Sequence, residues 1–212
     1  MPPSADLATA VADLPAYWFG DLSDAVAVGE GDLHLARWWS HDPAIDSEID
    51  RRFGALAETV ATRFAAGWRP ADPATALATV VALDQLPRNI HRGTPAMYAR
   101  DDLAVAATRH ALTLADPLAG DLFRAVFSLM PLMHSERFAD QEEMVDRFEA
   151  LAAEAERRGS PNLAAFRANL DFARRHRDIV ARFGRFPHRN HILGRPSTQE
   201  EETFLTEPGS AF

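Results

Sequence analysis

Residues 45–64 read IDSEIDRRFGALAETVATRF. Ile45, Ile49, Phe53, Leu56, Val60 and Phe64 recur every three or four positions, so on a helix they form one apolar stripe. Asp46, Asp50, Arg51 and Arg52 fall mostly off it. Asp42-Pro43 just ahead supplies a cap followed by proline at the first helical position, and Gly67 supplies a stop. The pattern predicts a long amphipathic helix over residues 45–68.

Working outward, Asp72-Pro73 repeats the cap-plus-proline signature. It opens residues 74–83, a run of Ala, Val, Leu and Thr whose alanine content favours a buried helix over a strand. That helix is expected to end at Asp84-Gln85-Leu86-Pro87-Arg88-Asn89, because proline restricts its predecessor and cannot extend the hydrogen-bond ladder. A helix over 101–115 follows on Leu103, Ala106, His110 and Leu114. Another over 121–130 is expected to break at Pro131, leaving Met133-His134-Ser135-Glu136 as a polar interruption. Asp140-Gln141-Glu142-Glu143 fits a capping box opening a helix over 140–157. Ser160-Pro161 caps a last long helix on Leu163, Phe166, Leu170, Ala173, Arg177 and Val180. Ser197-Thr198-Gln199-Glu200 fits a second capping box, opening a short helix through Phe204-Leu205. Towards the N-terminus, residues 6–19 read as either a helix kinked at Pro15 or a loop leading into a short helix, whose aromatic end Tyr17-Trp18-Phe19 is expected in the core. Residues 21–32 read as a surface loop, and 33–39 as a short apolar segment. About eight helices and no strand give an all-α single domain over 1–212, with ends fraying at about 1–5 and 207–212 and antiparallel helix pairs as the natural unit.

Composition limits the chemistry. The chain has no Cys, which excludes disulfides and thiolate catalysis and is compatible with a reducing, cytoplasmic setting. No stretch of eighteen apolar residues is present, so no membrane partner is expected, and the N-terminus lacks the pattern of a signal peptide. All basic residues other than His are Arg, which removes Schiff-base and P-loop lysine chemistry. A net charge of −9 argues against nucleic acid as a partner. Glycine-rich nucleotide loops and the Gly-x-Ser-x-Gly elbow are absent, so no cofactor and no serine nucleophile are expected. No recognised metal spacing occurs: His188 and His191 are three apart, but Pro187 disfavours a shared regular helix.

Three polar segments end apolar runs beside Pro or Gly. They are residues 84–93, residues 133–141, and Arg182-Phe183-Gly184-Arg185-Phe186-Pro187-His188-Arg189-Asn190 preceded by His176. Polar residues at helix ends often do no more than satisfy backbone groups. Taken together, they offer more. Asp84, Arg88, Asn89, Arg92, His176, Arg182, Arg185 and Arg189 are candidate ligand-binding residues, because guanidiniums grip carboxylate or phosphate bidentately. His134, Glu136 and His188 are candidate catalytic residues, since an imidazole titrates near neutrality and a carboxylate can orient it.

These segments, with Trp18-Phe19-Gly20 near the start and Leu193-Gly194-Arg195, Ser197-Thr198, Glu200-Glu201 and Phe204-Leu205 near the end, resemble the bacterial DUF924 family over nearly the whole chain. The resemblance implies an all-helical domain similar to tetratricopeptide-repeat-like superhelices, and no catalytic role. His191 stands where members usually carry a small apolar residue, and His91 where they often carry Phe, so neither is taken as essential. Two functions follow as expectations. One is a small anionic ligand bound, with or without conversion, in an Arg/His-lined cleft, with Arg88, His134, Arg185 and His188 around it. The other is a peptide or protein partner held in a concave groove, the chain being a monomer or homodimer.

Overall fold

The computed structural model describes residues 4–29 and 32–210. Among these residues the fold is all-α, with eleven α-helices and three short 3₁₀ turns. The helices are α1 (Ser4–Val11), α2 (Asp13–Phe19), α3 (Leu33–Trp39), α4 (Pro43–Ala65), α5 (Pro73–Ile90), α6 (Asp101–Leu114), α7 (Leu122–His134), α8 (Phe138–Arg157), α9 (Leu163–Phe183), α10 (Asn190–Leu193) and α11 (Gln199–Phe204). The 3₁₀ turns are Pro95–Met97, Pro117–Ala119 and Pro187–Arg189. No helix among the described residues is long and apolar enough to cross a membrane.

The stripe of α4 faces inward as its spacing requires: Ile49, Phe53, Val60 and Phe64 are buried. The side chains of Asp42 and Asp72 accept hydrogen bonds from the Ala44 and Thr75 amides, capping α4 and α5. Helix α5 is the centre of the molecule, packed by α4, α6 and α7 and touched by α1 and α2. Trp18 and Phe19 meet Phe127 edge-on, at 5.9 and 5.4 Å between ring centres, as core residues.

Several expected boundaries are corrected. Residues 6–19 form two helices broken at Ala12, with Pro15 inside α2. Helices α5 and α7 run through Pro87 and Pro131 to Ile90 and His134. Each proline lacks the N–H its helix would use, at a cost of about 3 kcal/mol in an isolated helix interior. Burial overrides that local preference: residues 76–87 of α5 are all buried, and tertiary packing dominates helix stability. Helix α8 starts at Phe138, so Asp140 is not its cap. Helix α9 begins after Asn162, while the Ser160 hydroxyl instead donates to the Asp24 carbonyl at 2.5 Å, tying down the loop after α2. His176, rather than Arg177, takes the buried position on α9. The final capping box is one residue later than expected, formed by Thr198 and Glu201. Of the expected frayed ends, residues 1–3, 211 and 212 lie outside the described residues. Ser4 begins α1, and the Ser210 hydroxyl donates to the Leu205 carbonyl at 3.2 Å.

After α9 the chain turns at Gly184, whose left-handed φ of 67° suits a residue without Cβ. Phe186 is then fully buried with Ile179 and Val180, and Phe183 and Phe204 pack against this small second cluster. That cluster lays residues 185–196 across the C-terminal end of α7.

Candidate functional site

The ends of α5 and α7 meet. Asp84, with no exposed surface, lies nearly two turns before the end of α5, and His134 is the last residue of α7. His134 Nδ1 is 2.7 Å from Asp84 Oδ1. Burial alone would raise the Asp84 carboxyl, but Arg88, with its Nη1 3.2 Å from Oδ1, and His134 hold it at about 2. Burial and the Arg88 charge together lower His134 against the pull of Asp84, so its imidazole is neutral near pH 7. An ionised carboxylate only accepts, so Nδ1 carries the proton and donates it to Asp84. Nε2 therefore keeps its lone pair, and it has no hydrogen-bond partner among the described residues.

A ring of ion pairs surrounds this dyad. Arg88 Nη2 donates to Asp101 Oδ1 at 2.8 Å, and Arg189 Nη1 donates to the other Asp101 oxygen at 3.0 Å. Arg189 Nη2 returns to the His134 carbonyl at 2.9 Å. The Arg189 guanidinium is buried, 4.6 Å from the Tyr98 ring centre and 4.5 Å from that of Phe186. Its Nε is buried with no partner among the described residues. Gln141 secures the end of α7 by donating to the carbonyls of Leu132, Met133 and Ser135 at 3.2, 2.9 and 2.6 Å.

Glu136 joins the second polar segment to the third. Its Oε1 accepts the Phe186 amide at 2.8 Å, and its carboxylate takes both Nη atoms of Arg195 at 2.7 and 2.9 Å. Burial would raise Glu136, but Arg195 and the Phe186 amide hold it below the usual range.

Beside the dyad lies an open cleft of ≈ 490 Å³. His134, Tyr98, Asp101, Glu136, Arg137 and Arg189 are polar residues of its lining, and Pro95, Val105 and Leu193 apolar ones. Burial raises the Tyr98 phenol, against the nearby Arg189 and Arg88 charges.

The other candidates lie elsewhere. Asn89 and Arg92 both donate to Asp46, binding the end of α5 to the first turn of α4. Arg182 pairs with Glu200, and Arg185 grips Glu201 through Nε at 2.6 Å and Nη2 at 2.8 Å. Asp178 pairs with Arg177 and not with Arg182. His176 Nδ1 lies 2.8 Å from the Phe172 carbonyl on its own helix, and burial pushes its pKa down to about 3. The His188 ring lies tilted 5.6 Å from that of Phe186, and its pKa is pushed down to about 4, by burial first and then by Arg189. Neither His188 nor Arg185 is among the residues lining the cleft. Four expected groups around one cleft thus reduce to His134 on its wall, with Arg88 behind it. Tyr98, Asp101, Arg137 and Arg195 complete the site without having been singled out as site residues. Arg195 at least stood in a recognised motif, whereas nothing local marks Tyr98 or Asp101.

A model of the family described as "Bacterial protein of unknown function (DUF924)" matches residues 14–209. The solved structure of a protein of unknown function, ATU0120 from Agrobacterium tumefaciens, is similar, with a TM-score of 0.72 and 33% identity. The match covers 96% of this chain and 99% of that one. No curated protein matches.

Proposed function

The chain belongs to the DUF924 family, and from that premise we propose that it binds a small carboxylate- or phosphate-bearing molecule in the cleft beside His134 and acts on it by acid–base chemistry. The observation that carries this reading is the Asp84–His134 pair. Asp84 Oδ1 is 2.7 Å from Nδ1, which leaves the Nε2 lone pair for a proton of ligand or water. Asp84 and Arg88 act by orientation: the carboxylate fixes the tautomer, and Arg88 keeps the carboxylate ionised. Pro95, Val105 and Leu193 would take the apolar body of the ligand.

Each cleft arginine already has a carboxylate partner, so a ligand anion must compete for a guanidinium. Arg137 is the group suited to that exchange. Its side chain is 58% exposed; Asp140 holds Nε at 2.7 Å, but Nη1 has only a 3.7 Å contact with Asp102, whose carboxylate is 94% exposed. Affinity should accordingly fall with added salt. In this reading the helices pair as a tetratricopeptide-like superhelix working in the cytoplasm, and the cleft lies among the ends of its helices.

The test is a panel of small carboxylates and phosphate esters titrated against the full chain, with the His134 ring and Arg137 side-chain resonances followed by NMR. A binding ligand should shift both. Turnover, where it occurs, should drop by at least about 100-fold in His134→Gln, the usual minimum for a positioned acid–base group. A panel that moves neither resonance, with extended peptides moving them instead, would favour the groove reading and sink this one.

A further inference from the structure

A second recess of ≈ 430 Å³ lies between α2, α3 and α4, lined by Asp13, Ala16, Tyr17, His34, Arg37 and Arg52. We propose that this recess is a separate binding site for a tetrahedral oxyanion, the phosphate group of a small phosphate ester. Unlike the cleft beside His134, it holds cationic groups that the protein leaves largely unneutralised.

The guanidinium carbons of Arg37 and Arg52 lie 3.7 and 4.3 Å from the centre of the same Tyr17 ring. Two like charges held at one phenol repel, and stacking on the ring offsets that only in part. Arg37 donates from Nη1 to the Tyr17 carbonyl and has no carboxylate partner among the described residues. Its Nε and Nη2 make no hydrogen bond to them either. Arg52 has one partner, Glu48, at 3.2 Å, and both of those side chains are more than 40% exposed. Asp13 is the sole carboxylate on the lining.

Tyr17 forms the floor on which both guanidiniums rest. It is 8% exposed, and its hydroxyl is buried with no hydrogen-bond partner among the described residues. A buried donor without an acceptor is uncommon in a folded protein. An oxyanion seated on the recess would accept from the open edges of both guanidiniums, above the Tyr17 ring. Planar forks of donors match phosphate geometry. His34 forms a fixed wall: its Nδ1 is 3.0 Å from Asp32, and its ring occupies the space a Cβ would need at Gly20.

The experiment is a titration of the full chain with inorganic phosphate, with sodium chloride at matched ionic strength as reference, followed by amide and aromatic NMR. The proposal expects a saturable response centred on Tyr17 and His34, separable from any at Tyr98 and His134. It expects binding at least tenfold weaker in Arg37→Ala and about threefold weaker in Arg52→Ala. Arg37 also ties down the Tyr17 carbonyl, so if Arg37→Ala does not fold, the exposed Arg52→Ala decides alone. A response equal to that of chloride, one centred on His134, or one unchanged in the foldable variants would overturn the proposal.

Discussion

Asp84 shows how much one buried carboxylate can hold. It fixes the His134 tautomer, takes the Gln85 side-chain amide at 2.5 Å, and neutralises Arg88 inside the molecule. Removing its charge leaves the Arg88 guanidinium short of one counterion, and breaking one side of a buried pair typically costs about 3–5 kcal/mol. Asp84→Asn should therefore lose about 3 kcal/mol in urea unfolding, with Asp101 retaining part of the Arg88 pairing. It should also release Nδ1, so that the His134 ring nitrogens exchange tautomers in ¹⁵N spectra. A variant as stable as the parent, with Nδ1 still the sole protonated nitrogen, would contradict the orienting role given to this carboxylate. Candidate residues at this scale were readable by chemical type alone. Asp84 and His134 stand fifty positions apart, and nothing in either neighbourhood says that they touch. The arginines misled for the same reason. Their types suit an anion, but Asp46 neutralises Arg92 from 46 positions away and Glu201 neutralises Arg185 from 16.

At the scale of elements, the segment after Gly184 is held by a few strong points rather than by a large core. Its apolar anchor is Phe186 among Ile179 and Val180, and its polar anchor is the Glu136–Arg195 pair. Arg195 also donates to the Phe186 carbonyl and to the Asn190 side chain, at 3.1 and 3.0 Å. Arg195→Ala should loosen this segment while α4, α5 and α6 stay intact. Hydrogen exchange should then quicken by at least tenfold over residues 185–204 and remain unchanged in α5. Uniform acceleration, or none, would show that Arg195 does not fasten the segment. Element boundaries were legible where local chemistry had no rival. Asp42-Pro43 and Asp72-Pro73 open helices where they should, because their caps are exposed and nothing else competes for them. Pro87 and Pro131 misled because burial of α5 and α7 outweighs the missing N–H groups, and burial is not a property of six residues read alone.

For the whole molecule, acid is the informative perturbation. His176 and His188 have pKa values of about 3 and about 4 in the folded chain, against about 6.5 when unfolded. Between these values the unfolded chain binds protons that the folded chain refuses, so stability falls as pH falls below about 6.5 and is flat above it on their account. Each such histidine contributes a slope of up to ~1.4 kcal/mol per pH unit in that window. Asp84, held at about 2, adds a loss in the same direction, but only once the pH drops below about 4. The unfolding midpoint in urea should move down steadily from pH 6.5 to pH 4, and His176→Phe should flatten part of that slope. A midpoint constant down to pH 4 would mean that these imidazoles are not buried neutral. The all-α class itself was legible throughout, because periodic apolar stripes repeat in nearly every segment and must bury against one another.

The pairing of Arg189 with Asp101 spans 88 positions, and its return to the His134 carbonyl spans 55. A ribosome delivers those partners in order. Asp84, Asp101 and His134 emerge well before the arginine that completes their circuit, and until then Asp101 has only Arg88 for a partner. The cleft beside His134 is therefore finished only after residue 195 has left the exit tunnel. A chain stalled before that point lacks Arg189 and Leu193, which line the cleft, and Arg195, which holds Glu136.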